Sequence, residues 1–454
     1  KSRFYRQKGR VTMDENELMG SMKVSKAVAK MAIPSVISSL VTVVYNMADT
    51  FFVGQTGDPL QVAAVSQTNP IFILFMAFAN MFGMGGSAAA SMALGEKKEK
   101  RVKQVSSFIT YASLIVGIVF AVILLVGMQP VLQLFGADAD TYELAKGYTT
   151  YISYGAPFII WSAAASFVVR ADGASREAMT GSMIGTVANI ILDPIFISGF
   201  GMGAAGAAIA TTIGNIMASV YYLWYFCRKS RNMSIAFRYF KCGDRILSQV
   251  CSAGLPTAIF SALMSISTII LNQILVAYGN APVAAIGIVF KANMFITFLQ
   301  MGMANGVQPL LGYSYGAGNR ERFLAVERYT KKCCLIVGVL ATALFFFFRE
   351  PIIRLFISDT EVINYGVEML IAYMISGPVI GILFMNMNCM QSTGNALPAT
   401  ILSILRQGVL LIPVLYGLNA LLGLHGVIYG QALTDYVAVL LSIVIWRWKR
   451  RKTL

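Results

Sequence analysis

Residues 107–127 read SFITYASLIVGIVFAVILLVG, a run with no charged side chain. A helix needs about 20 such residues to cross a hydrocarbon core of about 30 Å. Runs of this kind recur along the whole chain; another is Cys333 to Phe348, extended by Arg349 to Ile357. Of the 454 residues 57% are hydrophobic and 13% charged, where a soluble domain carries about a quarter charged residues. Lipid cannot satisfy an open backbone, so the spans are helices. The alternation that marks an outer-membrane barrel is absent. The spans read as 25–53, 60–93, 106–134, 142–170, 178–200 and 204–227, then 246–277, 283–315, 333–357, 363–391, 398–420 and 425–447.

A net charge of +15 would suit a nucleic-acid surface, but its distribution says otherwise. All of the 36 Lys and Arg residues except Lys146, Lys291, Arg349, Arg354 and Arg406 fall before span 1 or in its first turns (Lys1 to Lys30), in or at the edge of the alternate loops, and at the C-terminus. The opposite loops hold Asp58, Asp138, Asp140, Glu143, Asp359 and Glu361. This bias places both termini in the cytoplasm and predicts a bacterial inner-membrane protein with no nucleic-acid partner. No cleavable signal peptide is visible. The six cysteines lie near the cytoplasmic side without metal-ligand spacing. Trp446 and Trp448, next to the terminal basic run, read as an interfacial anchor. Gly83, Gly85 and Gly86 with Ser87 read as a close-packing helix face.

The chain repeats itself. Pro34 pairs with Pro256, Gly95 with Gly316, Pro157 with Pro378, Gly173 with Gly394, Pro194 with Pro413 and Gly206 with Gly426, all at offsets between 219 and 222. Six spans per half is an even number, so the halves are parallel repeats that would enclose a central cleft. The expected fold is an all-α integral membrane protein of twelve transmembrane helices in two six-helix lobes related by pseudo-two-fold symmetry. Its parts would be a cytoplasmic segment 1–24, a first lobe 25–227, a linker 228–245, a second lobe 246–447 and a basic tail 448–454.

An ionisable group inside a span costs at least ~2.5–3.5 kcal/mol, so each needs a reason. Asp193 sits deep in span 5, with Asn189 one turn earlier on the same face and Pro194 interrupting the backbone ladder after it. In span 1, Asp49 has Tyr45 at i−4 and Asn46 at i−3. The repeat places Ile412 where Asp193 stands, and Ile270 or Leu271 where Asp49 stands. The scaffold therefore accepts aliphatic residues there, and the acids are expected to serve function. The second half has its own polar set: Asn272, Gln273, Lys291, Gln300, Asn305, Gln308, Arg406 and Asp435. A buried base usually finds an acid, so Asp435 would pair with Lys291 or Arg406; a second substrate or proton site is the other reading. No nucleophile–base pair or ATP-binding motif is seen, which excludes an enzyme and a nucleotide-driven pump. His425 alone, at an outer loop, supports no catalysis.

Ala32-Ile33-Pro34, Tyr45-Asn46-Met47-Ala48-Asp49, Val53-Gly54, Asn189 to Pro194, Gly206 to Thr211 and Gln391 to Asn395 together resemble the MATE multidrug exporters. That superfamily also holds lipid-linked sugar flippases. The resemblance covers about residues 25–450. Acids in spans 1 and 5, with none in residues 255–277, are similar to the DinF-like branch and depart from NorM-like members. The resemblance implies a secondary antiporter that exports small organic, cationic, multidrug-type compounds in exchange for protons by alternating access. It implies no cofactor, a monomer, and lipids and small organic substrates as partners. It selects Tyr148 and Thr211 as further ion-coupling residues beside Asp49, Asp193, Asn189 and Tyr45. Asn46 and the second-half polar set would line the substrate cavity. Na⁺ held by Asp49, Asn189, Asp193 and Thr211 is the alternative coupling ion, and a lipid-linked oligosaccharide flippase is the alternative function.

Overall fold

The computed structural model describes residues 17–55 and 58–454; most of the expected cytoplasmic segment 1–24 lies outside the described residues. The helices are α1 Val24–Gly54, α2 Pro59–Gly95, α3 Glu99–Val126, α4 Tyr142–Ala171, α5 Ser175–Pro194 and α6 Gly203–Trp224. Then follow α7 Ile246–Val276, α8 Asn280–Gly316 and α9 Arg320–Phe347. The span after α9, here α10, is broken into Thr360–Ile375 and Gly377–Ser392 with a 45° bend. The last two are α11, Ala396–Leu422, and α12, Leu424–Thr453. Among the described residues 11 helices are long and apolar enough to cross a membrane, and the bent pair makes 12. The fold is all-α, with twelve spans in two six-helix lobes.

Local chemistry explains several ends. Asp58 accepts from the Leu60 N–H at 2.9 Å, with Pro59 as the first helical residue of α2. Asn319 accepts from the Arg322 N–H at 2.9 Å and starts α9. Each cap satisfies an N–H that the helix itself leaves open. The start at Arg320 corrects the expected span 333–357. Hydropathy marks only the lipid-facing length, whereas the helix runs on through its basic first turns. Glu327 explains part of that extension. It is 2% exposed and accepts from Trp446 Nε1 at 2.7 Å and Lys331 Nζ at 2.5 Å. Trp446 is therefore not an interfacial anchor: it is 1% exposed, because its indole N–H is spent on Glu327. Trp448, 54% exposed, keeps that role open.

The chain divides into two compact units. The first holds Val41–Gly254 with the short stretch Gly312–Gly318. Its core joins Phe82, Phe108, Trp161 and Tyr222 at one end and Phe75, Ile152, Ile159 and Ile197 at the other. Glycines set the close approaches. A Cβ on Gly85 would lie 1.9 Å from the Val250 carbonyl oxygen, and one on Gly86 2.0 Å from Ile109. The second unit holds Lys23–Leu40, Leu255–Leu311 and Asn319–Leu454. There α1 leans on α8 through Gly302 and Gly306, where an added Cβ would meet the Val36 Cα at 3.0 Å and the Ala32 Cα at 2.9 Å. The first turns of α1 are thus packed with the second half of the chain, and its last turns with the first half.

Among the described residues three helices change pitch; α6 does so at its end, Tyr225–Lys229. After Pro194, α5 continues as a π-helix, Ile195–Gly199. In α11 a π-helix, Leu405–Leu410, comes before the matching Pro413. Wide turns of this kind concentrate at functional sites.

Candidate functional site

In the first unit, α5 and α6 touch through glycine. A Cβ on Gly185 would lie 2.9 Å from the Gly214 oxygen, and one on Gly214 2.5 Å from the Gly185 oxygen. Above this contact the helices present Asn189 and Thr211 to each other, and one turn further on Asp193. All three are buried, Asp193 completely. The neighbours of the Asn189 amide orient it. Turned one way, its oxygen would face only acceptors and its nitrogen only donors; turned the other way, every group is satisfied. In that orientation Asn189 Nδ2 donates to Asp193 Oδ2 at 3.0 Å, and Asn189 Oδ1 accepts from Thr211 Oγ1 at 3.1 Å and from the Thr211 N–H at 2.9 Å. Tyr45 of α1 completes the chain, with its phenol 3.3 Å from Thr211 Oγ1.

The structure therefore brings Tyr45, Thr211, Asn189 and Asp193 into one hydrogen-bonded line across three helices. Asp49, half-buried one turn beyond Tyr45, is within electrostatic reach of Asp193, Tyr45 and Tyr148. Tyr148 is 9% exposed. Asn46 is half-buried beside Tyr45. A residue not chosen from the sequence extends the line. Asn215 donates to the Thr211 carbonyl at 2.9 Å and accepts from Ser162 Oγ at 2.9 Å, tying in α4. Its i+4 spacing from Thr211 was the available signal.

In the second unit the polar set does not form one site. Arg406 Nε donates to Asp435 Oδ1 at 2.8 Å, and Gln431 Nε2 to the same oxygen at 3.0 Å. The guanidinium lies over the rings of Phe260 at 5.3 Å and Phe384 at 5.8 Å. Asp435 thus pairs with Arg406; Lys291 is exposed and has no acid within salt-bridge distance among the described residues. Gln300 is fully buried and donates to the Cys334 carbonyl at 2.9 Å, so it belongs to helix packing and not to a cavity wall. Gln308, also fully buried, reaches Gln391 at 3.5 Å, and Asn305 accepts from Asn388 at 3.1 Å. Asn272 is half-buried and Gln273 exposed.

No cluster of three or more potential metal ligands among His, Cys, Asp and Glu occurs among the described residues. All six cysteines are free thiols.

Three comparisons bear on this arrangement. The MatE family profile matches residues 34–195 and again residues 256–416, one match per half of the repeat. A multidrug export protein, MepA, from Staphylococcus saprophyticus is 32% identical over 422 residues, 93% of each chain. An outward-facing multidrug resistance MATE family transporter of the MOP superfamily superposes with a TM-score of 0.90 at 26% identity, covering 95% of this chain and 96% of the other. MATE in its straight conformation superposes with a TM-score of 0.91 at 25% identity, covering 96% of this chain and 97% of the other. Twelve spans, a doubled profile and near-complete coverage by relatives agree: the chain belongs to the MatE family of multi-pass membrane transporters and is not an enzyme.

Proposed function

We propose that this transporter exports small organic, multidrug-type cations from the bacterial cytoplasm in exchange for protons, by alternating access, with Asp193 and Asp49 as the proton carriers. The lobes would divide at the linker 228–245, with both termini in the cytoplasm, and a monomer would suffice. One observation carries the proposal: Asp193 is fully buried, and its recorded hydrogen bond comes from a neutral amide. A carboxylate so placed has no fixed cation to balance it. Burial penalises its charge and the nearby Asp49 repels it, so a proton or a bound cation is the available compensation.

The hydrogen-bonded line suggests how protonation is felt elsewhere. When Asp193 is ionised, Asn189 turns its N–H toward it and takes the Thr211 hydroxyl on its oxygen. When Asp193 gains a proton on Oδ2 it becomes a donor there, and Asn189 can answer by turning over to accept from it, giving up its bond from the Thr211 N–H. The amide N–H then points at Thr211 Oγ1, 3.1 Å away, and the Thr211 hydroxyl, which also meets the Tyr45 phenol, is freed to donate. Protonation on α5 would thus reset a bond to α1, whose Pro34 lacks a backbone donor and weakens the helix there. Substrate and proton couple if they differ in affinity for the two arrangements.

Sodium is less well served. A cation needs oxygens, yet the favoured Asn189 amide turns its N–H toward Asp193 while its oxygen is engaged by Thr211. A flippase for pyrophosphate-linked sugars would need cationic charge to spare; Arg406 is already balanced by Asp435, which leaves, among the described residues, Lys291 as the unpaired cation of the second-half polar set. The test uses inside-out vesicles carrying an imposed pH gradient without sodium, to which tetraphenylphosphonium is added. Collapse of the gradient by wild type and not by Asp193→Asn is expected. A response that appears only with sodium would replace the ion, and no response under either condition would overturn organic-cation export.

A further inference from the structure

We propose that the second unit holds a binding site for one anionic phospholipid of the inner leaflet, in the groove between the first turns of α1 and the helices α8 and α9. The groove measures about 340 Å³, within the range of about 300–1,000 Å³ that small-molecule sites occupy. On α1 it runs from Ser25 to Ile37. At 1.5 Å per residue that is about 18 Å, close to the depth of one leaflet, about half of a 30 Å core.

The groove is apolar along this length. Its deep part is aliphatic, with Ile33, Val36 and Ile37 of α1, Leu299 of α8 and Val337 of α9. Ile33 is 58% exposed. Its other end reaches Ser25 and Tyr329, which present apolar surface to it. Lys26 follows Ser25 in sequence, and Arg328 and Lys332 stand next to Tyr329 and Cys333; all three are exposed. An acyl chain fits the apolar groove, and the cations beside its cytoplasmic end suit a phosphate headgroup just outside it. The charge bias puts this end at the cytoplasmic surface, where anionic lipid draws basic side chains.

An occupant would bear on the coupling helix. Ala32, Ile33, Val36 and Ile37 of the groove wall surround Pro34, while the adjoining side of the same turns is seated on Gly302 and Gly306 of α8. A chain in the groove braces this segment from the open side. The inference does not depend on whether the coupling ion is H⁺ or Na⁺.

The test uses the full chain in nanodiscs with trace photoreactive phosphatidylglycerol or phosphatidylcholine, both carrying a diazirine in the acyl chain, and maps crosslinks by mass spectrometry. A second apolar groove of about 370 Å³, lined by Leu344, Phe348, Pro351 and Leu355, is the internal control. Phosphatidylglycerol crosslinks concentrated on residues 29–37 and 333–337, several-fold above phosphatidylcholine, are expected. Each of Lys26→Gln, Arg328→Gln and Lys332→Gln should lower that preference, roughly five-fold per cation at most, without moving the crosslinks. Ala29→Phe should remove them, with Phe348→Ala as a matched control outside the groove. Equal labelling of the two grooves, or no headgroup preference in wild type, would overturn the proposal.

Discussion

The two halves repeat in sequence, yet they treat their buried charge in opposite ways. In the first half α5 carries Asp193, and α6 answers with Thr211 and Asn215, both neutral. At the repeat positions α11 carries Ile412 in place of Asp193, and α12 carries Gln431 and Asp435 in place of Thr211 and Asn215. The second half has added Arg406 from α11, and its acid is already paired and bonded. Arginine carries a fixed positive charge, so Asp435 has a permanent cationic partner. Asp193 has none. On the proposed function, the repeated scaffold thus sets an acid free to trade its charge, Asp193, against one paired to a fixed cation, Asp435.

The contrast is broken most severely by Asp193→Asn, which should abolish gradient-driven export of tetraphenylphosphonium while the protein still elutes as a folded species in size-exclusion chromatography. Loss of the carboxylate at Asp435 should act on stability instead. Asp435→Ala leaves a buried guanidinium unbalanced, a loss of about 3–5 kcal/mol for a broken buried pair, read as a large fall in thermal midpoint in detergent. Replacing both partners, Arg406→Met with Asp435→Leu, should recover most of it, since apolar residues often substitute for a buried pair at little cost. A smaller effect is expected from Gly185→Val. The added side chain pushes α5 off α6 at about 1–3 kcal/mol and lengthens the Asn189–Thr211 contact, so coupling should weaken more than folding does. Ser162→Ala removes one bond to Asn215, worth about 0.5–1.5 kcal/mol, and should leave transport nearly unchanged.

The spans, their number and the repeat were legible because lipid imposes long apolar runs and because proline and glycine keep their register in both halves. The acid pair was legible for the same reason: Asp193 and Asp49 violate the apolar rule, and the repeat shows that the scaffold tolerates Ile412 instead. What stayed hidden depends on packing. The true start of α9 at Arg320 needed the burial of Glu327 under Trp446, which hydropathy reads as a polar loop. The π-turns after Pro194 and before Pro413 fall on different sides of matching prolines, so the proline does not predict them. The second-half polar residues looked like one set in sequence, but Gln300 turned inward to backbone carbonyls while Lys291 turned outward. The choice of Arg406 over Lys291 as the partner of Asp435 rests on geometry that spacing does not contain.

The claim that exchangeable charge sits in the first half alone is tested most directly by counting protons. Tetraphenylphosphonium is added to purified transporter in weakly buffered detergent solution, and the pH change is recorded. Wild type should release protons on binding, Asp193→Asn should release markedly fewer, and the Arg406→Met, Asp435→Leu pair should match wild type. Undiminished release from Asp193→Asn, with release lost in the Arg406 and Asp435 double variant, would contradict the account and move coupling to the second half.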